Sequence, residues 1–472
     1  MPAAPDVEPC VEETEEALLE GDSRFAPGTA LAALSHREFR VMYVGGFLSN
    51  IGSWMQQVVL GAFAYALTGS PVFVGLMIFS QMGPVLVFGP LAGVIADTFD
   101  RKRLLLAVTS TQLASAAALA WAVSSDDPSK VGIVAAVLVG GIANAVFMPA
   151  YSAVLPYLVG DDLPGAISLQ SAQMNLSRVI GPAIGAVAFS AVGPSWVFLG
   201  NAVSYLFVIA AILQLRVPPN DAPVDVDERG FRKLTSGFRI ARRDPIIGRA
   251  LITIATFSGL CLLWVGQFPV FAVENLGIDE ESLAYGMLYA CMGLGAALGS
   301  ISIGTVFAHT PKALLVRWGL LAYAVLLAVY ALLQAPVPAY PVVVLLGAAY
   351  FGSVTALNTA MQSRLANHER GRVMALWMMG FGGMVSVANL ALAPLIDALG
   401  MPPLMLAGAA IAAWLSRYAD VRTPEELQSA SSAAATRSRP AIRLPFTSTA
   451  SPSDNGPSAA SAPSTPSTGG NP

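Results

Sequence analysis

The sequence predicts an all-α integral membrane protein with twelve transmembrane helices, arranged as two pseudo-symmetric six-helix bundles. Of its 472 residues, 55% are hydrophobic and only 12% are charged, whereas a soluble domain carries roughly a quarter charged residues. Twelve apolar stretches approach or exceed the roughly 20 residues that cross a bilayer core. The basic residues, moreover, fall into alternate connections between these stretches, as they do in membrane proteins.

The apolar stretches form two groups of six, which we number as spans 1 to 12. They cover approximately residues 41–67, 71–96, 104–124, 131–156, 166–191, 195–215, 249–273, 283–307, 314–334, 338–361, 372–398 and 402–418. The composition of the C-terminal segment, rich in Ser, Ala and Pro, is typical of disorder. We therefore predict five parts: an acidic tail (1–36), a first bundle (37–215), a linker (216–248), a second bundle (249–420) and a C-terminal tail (421–472).

The distribution of Lys and Arg predicts the orientation. If all twelve spans cross and the N-terminus is cytoplasmic, every Lys and Arg except Lys130 and Arg178 lies on the cytoplasmic side. We therefore expect both termini in the cytoplasm. The high Ala content and the absence of an organelle signal favour the bacterial inner membrane.

Several classes of function are excluded by what the sequence lacks. A net charge of −4 indicates no nucleic-acid partner. No Gly-rich loop followed by Lys occurs, so the chain contains no ATP-binding cassette. Three scattered cysteines predict neither a disulfide framework nor a metal site. No nucleophile–base constellation stands out, so we expect no enzyme activity, no cofactor and no metal. No segment resembles an oligomerisation surface, so we expect a monomer in the lipid bilayer.

A faint internal repeat supports two related halves. Residues 101–106 match residues 311–316, and a second group of positions matches at a similar offset. That second group pairs Ala153, Leu158, Asp162 and Leu169 with Ala360, Leu365, Glu369 and Leu376. Two related six-helix halves are typical of transporters.

The charged turn after span 2 resembles the signature of the major facilitator superfamily. That signature is a Gly, three residues, an Asp and then a basic cluster, and it is matched by Gly93, Asp97, Arg101, Lys102 and Arg103. Thr98 and Asp100 depart from the commonest form. The resemblance covers roughly residues 37–420 and implies that Asp97 docks on the N-terminus of span 11, as a latch between the halves. A merely solvated turn that satisfies the positive-inside rule is the alternative.

A second motif, in span 5, resembles the superfamily's exporters, in the branch that contains the enterobactin exporter and macrolide-efflux proteins. The stretch 175–185 includes Asn175, Arg178, Gly181, Pro182 and Gly185, and residues 67–71 share the resemblance. It implies a kinked, thin helix that rocks closely against a neighbour, and export rather than uptake. Gly and Pro are also ordinary in membrane helices, so a purely structural role is the alternative.

Candidate substrate contacts lie on several spans. Arg178, the one basic residue near the middle of a span, either attracts an anionic substrate group or tunes a protonation site, or it is a structural cation. On the helices that line the family's cavity, and on span 11, we expect a wet chamber formed by Ser49, Ser53, Gln56, Asn144, Gln267, Asn358, Gln362, Trp377 and Met378. The alternatives are interhelical hydrogen bonds for the polar residues and gap filling for the methionines.

These observations predict a secondary transporter that exports small amphipathic molecules, such as drugs, macrolides or siderophores, by alternating access. Proton antiport is implied by family analogy alone. The sequence does not identify a coupling carboxylate, because Glu274 and Asp397 lie at span boundaries. Uptake or flipping of a metabolite or lipid, and a non-transporting receptor or scaffold, are the alternative functions.

Overall fold

A computed structural model describes residues 27–217 and 231–421 of the chain. Every regular element within these two segments is a helix. The predicted acidic tail lies outside them up to residue 26, as do residues 218–230 of the linker and the C-terminal tail from residue 422. The described part of the chain makes twelve helical passages, and these keep the span numbers given above.

The first half begins with a short helix, Ala30–Ser35, which precedes six passages. Spans 1 to 6 are Arg37–Thr68, Pro71–Met82 with Pro84–Thr98, Arg101–Val123, Lys130–Val159, Leu163–Val192 and Pro194–Gln214. Proline at the first turn of several of these helices suits a position whose N–H has no partner within the helix.

The second half begins with a polar helix, Phe231–Arg243, which we call the basic helix. Span 7 follows as Pro245–Thr256, a π-helical turn at Phe257–Cys261, Leu263–Gly266 and Phe268–Glu274. Spans 8 to 12 are Leu283–Gly304, Lys312–Ala331, Pro336–Gln362, Asn367–Met378 with Met384–Leu399, and Met401–Tyr418.

Length and composition agree with a membrane protein of twelve passages. Eight helical stretches of the described residues are long and apolar enough to cross a bilayer, or nine if a bent pair counts as one. One of these stretches, Lys130–Val192, has 63 residues and would measure about 95 Å as a single straight helix. It is two passages, spans 4 and 5, joined by the 3-10 turn Gly160–Asp162. The less apolar spans 1 and 12 complete the set.

Three spans that the sequence predicts as continuous are interrupted. Span 2 breaks at Gly83, where the following Pro84 cannot donate a backbone hydrogen bond to the preceding turn. Span 7 breaks beside its π-helical turn, and span 11 carries a second π-helical turn at Met379–Gly383. Such turns lie frequently at functional sites of membrane helices.

Two pairs of spans pack lengthwise across the boundary between the halves. Span 5 packs along span 8, and the first segment of span 2 packs against the second segment of span 11. Because consecutive spans are joined by short loops, they run in alternate directions. We call the end that carries the turns at 99–100, 160–162 and 363–366 the basic end, and the end that carries the turns at 69–70, 193 and 400 the opposite end.

Candidate functional site

The span 5 motif, residues 175–185, lies where spans 1, 5 and 8 meet. Gly293 of span 8 packs on the backbone of span 5, and a Cβ added there would overlap the carbonyl oxygen of Arg178. A Cβ added to Gly181 would overlap the Cβ of Trp54 in span 1. Glycine is therefore required at both positions for the three helices to approach this closely. The adjacent Pro182 is buried within span 5.

Arg178 lies between aromatic rings from both halves. Its guanidinium carbon is 5.1 Å from the centroid of the Trp54 ring and 4.0 Å from that of Phe351 in span 10. Nη1 donates a hydrogen bond to Asn175 Oδ1 at 3.4 Å. Tyr289 and Tyr350, from spans 8 and 10, lie nearby. The cation is thus held mainly by ring faces.

The charge of Arg178 lacks an acidic partner among the described side chains. The charged contacts among these side chains, His36 with Asp162 and Arg364 with Asp244, do not include Arg178. Its Nε atom is buried without a hydrogen-bond partner. An ion withdrawn from water loses several kcal/mol of hydration, of which each of the two cation–π contacts restores about 2 kcal/mol, and neither contact satisfies the buried Nε–H. Arg178 is therefore an under-compensated cation between the two halves, and an anion that reached it would be attracted.

The polar residues of span 1 contact span 6. Ser53 Oγ lies 3.2 Å from the hydroxyl of Tyr205, and Gln56 Oε1 accepts a hydrogen bond of 2.7 Å from Asn201 Nδ2. Ser49 is buried. These contacts join two helices of the same half, so Ser53 and Gln56 form hydrogen bonds between helices, which is the alternative to contact with a substrate.

The other predicted polar residues are also hydrogen-bonded to neighbours. Asn144 of span 4 accepts a bond of 3.4 Å from Gln112 of span 3. Within span 10, Asn358 accepts a bond of 2.7 Å from Gln362. Neither hydrogen bond involves Arg178.

Gln267 lies at the break in span 7 and is fully buried between the halves. Its Nε2 donates to the backbone oxygen of Pro71 in span 2 at 3.0 Å and approaches that of Asn389 in span 11 at 3.5 Å. This amide therefore links three spans near the opposite end.

Trp377 and Met378 of span 11 differ in environment, since Trp377 is 3% exposed and Met378 is 49% exposed.

The basic cluster of the predicted latch connects helices within the first half. Arg101 stacks on the ring of Tyr157 at 4.6 Å, and Lys102 Nζ donates to the backbone oxygens of Leu213 and Leu215 at 2.8 and 2.7 Å. The backbone N–H of Arg103 donates to Asp100, which caps span 3. Gly93 and the side chain of Asp97 lie outside the described part of the structure, but their helix contacts the first segment of span 11.

A hydrogen bond joins the halves at the opposite end. The hydroxyl of Tyr65, at the end of span 1, donates to Glu274 Oε1, at the end of span 7, at 2.8 Å. Together with the bond from Gln267 to Pro71, it ties spans 1 and 2 to span 7. Glu274, which the sequence marks as a boundary acid, is therefore bonded across the two halves.

At the basic end, each half contains a contact between a carboxylate and a basic side chain in a related position. His36 precedes span 1 and lies 2.8 Å from Asp162 in the turn before span 5. Asp244 precedes span 7 and lies 2.8 Å from Arg364 in the turn before span 11. The backbone N–H of Gly28 and then the His36 ring lower the pKa of Asp162. In the first half the basic residue comes before span 1 and the acid before span 5, whereas in the second half the acid comes before span 7 and the basic residue before span 11.

The pair in the second half gives a pH-dependent prediction. Burial opposes ionisation of Asp244, but hydrogen bonds from Arg364 and from the Ile246 N–H outweigh it, so the pKa of Asp244 is lowered. A depressed pKa stabilises the fold fully above about pH 4, and this stabilisation is lost as the pH falls through the folded pKa. Asp244→Asn keeps the helix cap and should lower the stability by about 1 kcal/mol at neutral pH.

Thermal unfolding of the detergent-solubilised protein measures this effect. The difference between wild type and Asp244→Asn should shrink as the pH falls from about 4 through the lowered folded pKa, because Asp244 then becomes protonated in the folded state as well as in the unfolded state. Arg364→Gln should behave in the same way. A difference that stays constant over this pH range would contradict the assignment.

The sequence points to Arg178 and misses most of its surroundings. Trp54 and Phe351 are ordinary aromatic residues of apolar spans, and they are far apart in the chain. Tyr65 lies at a span end, where Tyr is expected at a membrane interface in any case. Only the polar hydrogen-bond partners, Asn175 of Arg178 and Glu274 of Tyr65, stand out in the sequence.

Comparison with known families gives one match over most of the chain. Residues 28–452 match the family described as transmembrane secretion effector. The enterobactin exporter EntS of Shigella boydii serotype 4 (strain Sb227) is 26% identical over 73% of this chain and 81% of its own length. The staphyloferrin A transporter of Staphylococcus aureus (strain NCTC 8325 / PS 47) is 27% identical over 77% of this chain and 90% of its own length.

Solved structures share the fold at low sequence identity. The nucleoside transporter NupG superposes with a TM-score of 0.64 and 12% identity, over 81% of this chain and 98% of its own. A bacterial homologue of the iron transporter ferroportin, in an inward-facing state, gives 0.63 and 14%, over 82% and 99%. The predicted fold class is confirmed. The chain belongs to the transmembrane secretion effector family of the major facilitator superfamily, and it is a multi-pass secondary transporter of a small molecule and not an enzyme.

Proposed function

We propose that this transporter exports an anionic, siderophore-like small molecule by alternating access, with Arg178 as the group that attracts it. The under-compensated charge of Arg178, held by rings from both halves, carries the proposal. A cation at this depth pairs with a carboxylate, a water-filled cavity or a substrate. Since no described carboxylate pairs with Arg178, a charged substrate is the partner that the site favours.

The relatives support this substrate class. Two proteins that match most of the chain are named for siderophores, enterobactin and staphyloferrin A. A chelator that holds ferric ion through oxygen donors carries acidic groups, which form strong charge-assisted hydrogen bonds with a guanidinium. The flanking rings of Trp54 and Phe351 offer apolar contact to the rest of such a molecule.

We further propose that export is coupled to proton entry. No described carboxylate lies beside Arg178, so the coupling group must lie apart from the substrate site. Glu274 is the acid that bonds across the two halves, through Tyr65. That bond must break when the opposite end opens, so the surroundings of Glu274 change during the transport cycle.

An efflux-deficient bacterial host tests the function. Cells that express the chain should release more siderophore, and retain less of it, than cells with an empty vector. Collapse of the proton gradient should abolish the difference. Greater retention would indicate uptake instead, and reduced retention of a dye or macrolide without any effect on siderophore would indicate a drug exporter.

The latch gives a mutational prediction. Asp97→Asn should reduce transport about ten-fold or more while leaving membrane insertion intact, because a neutral amide loses the attraction of a carboxylate to a helix N-terminus. Transport per inserted molecule, with expression measured in parallel, checks this result. Asp126→Asn, at an exposed loop of the opposite end, is the matched control and should transport normally. Normal transport by Asp97→Asn would refute the latch.

A further inference from the structure

The basic helix Phe231–Arg243 carries a charged face that no described element covers. Phe238 is 56% exposed, and Arg239, Arg242 and Arg243 are exposed. Gly237, Ile240 and Ala241 lie on the packed side of the helix. An exposed aromatic ring flanked by arginines is typical of a helix that lies on a membrane surface.

The direction of the helix fits such a position. The chain bends by 117° between Gly237–Arg243 and Pro245–Cys261, the first part of span 7. Because span 7 crosses the bilayer, a helix that leaves it at this angle runs roughly along the membrane plane. The bend occurs at Asp244, whose bond to Arg364 and cap of the next helix hold the corner in place.

The packed side of the helix contacts both halves at the basic end. A Cβ added to Gly237 would lie 3.0 Å from the carbonyl oxygen of Arg372 and 3.1 Å from Leu376, so the helix crosses directly over the start of span 11. The helix also contacts Pro84–Thr98 of span 2, the helix that carries Gly93 and Asp97. Whatever binds its exposed face therefore acts next to the junction between the halves.

We propose that Phe238, Arg239, Arg242 and Arg243 form a binding site for anionic lipid headgroups, and that occupancy holds the basic helix against spans 2 and 11. Guanidinium groups bind phosphate in a bidentate manner, and the Phe238 ring enters the boundary between headgroups and acyl chains. Each cation near an anionic surface strengthens binding by about five-fold. The site thus couples the lipid composition to the basic end of the transporter.

The acidic N-terminal tail is the other occupant with the right charge, and the exposed Phe238 favours lipid over it. A segment rich in Glu satisfies the arginines and leaves a large aromatic ring in water. A bilayer surface accommodates both the ring and the charges. The position of the helix beside span 7, close to the headgroups, supports the same choice.

Hydrogen–deuterium exchange of the full-length protein in nanodiscs tests the proposal without any substrate. The segment 231–243 is compared in phosphatidylcholine alone and in an equimolar mixture with phosphatidylglycerol. In the wild type, the anionic lipid should slow exchange of this segment about ten-fold or more, and high salt should reduce the effect. Arg239→Gln/Arg242→Gln should lose this lipid dependence while exchange in the spans stays unchanged.

A matched variant separates a local site from a general effect of charge. Arg317→Gln/Arg417→Gln removes two exposed cations from spans 9 and 12 and should keep the full lipid dependence of the segment 231–243. Equal exchange in the two bilayers, or a dependence that survives in Arg239→Gln/Arg242→Gln, would overturn the proposal. Deletion of residues 2–22 should leave the exchange of the segment 231–243 unchanged in both bilayers. If its exchange instead became fast in both bilayers, the acidic tail would be the occupant.

Discussion

Replacement of Arg178 by Gln is expected to reduce transport of an anionic substrate by about ten- to one-hundred-fold. A hydrogen bond to a charged group contributes about 1.5 to 3 kcal/mol, and Gln keeps polarity while removing the charge. The transport rate of Arg178→Lys should lie between those of the wild type and Arg178→Gln. An ammonium group keeps the attraction to an anion but loses the contacts of the guanidinium with the Trp54 and Phe351 rings. The rate of siderophore release, divided by the amount of inserted protein, measures the effect.

The control for this experiment is Arg317→Gln, which removes an exposed cation at the start of span 9 and should leave transport unchanged. If Arg178 is instead a structural cation, Arg178→Gln should lower the thermal stability, and the transport rate of the protein that remains folded should be normal. That result would remove Arg178 from the substrate site.

Replacement of Gly293 by Val is expected to give the second large effect, a loss of turnover of about ten-fold or more with the protein still inserted. The new side chain would collide with the carbonyl of Arg178, where spans 5 and 8 join the halves. Over-packing of a close contact costs about 1 to 3 kcal/mol. This cost falls on the state in which the two helices touch, so it shifts the balance between the states of the transport cycle.

Gly200→Val is the matched control, since Gly200 lies in span 6 with nothing within 4 Å of an added Cβ. The same substitution in the same kind of helix should leave transport near the wild-type rate. Similar losses in both variants would show that the loss reflects general damage to a membrane helix, and not the contact between spans 5 and 8.

The passages of the chain follow from composition, whereas their breaks do not. A run of apolar residues between Lys- or Arg-bearing turns is a local property, so the twelve passages can be read directly from the sequence. The π-helical turns at Phe257–Cys261 and Met379–Gly383 arise where a helix adapts to its neighbours. Glycine occurs at both turns, and also within passages that stay regular, such as span 8.

The candidate site shows the same division. Arg178 is identifiable because a charge inside an apolar span requires a partner. Its ring partners lie in spans 1 and 10, and only the packing of the two halves brings them together. Gln56 and Asn144 show the converse problem, because a polar residue in a span indicates a polar contact without indicating whether its partner is a helix or a substrate.

Transport by the purified protein in proteoliposomes tests the central claim most directly. With the basic end exposed to a labelled anionic siderophore and a proton gradient imposed, the wild type should move the siderophore across the bilayer. Arg178→Gln should not do so, and dissipation of the gradient should stop the wild type. If Arg178→Gln moved the siderophore as fast as the wild type, an anionic substrate held at Arg178 would be contradicted.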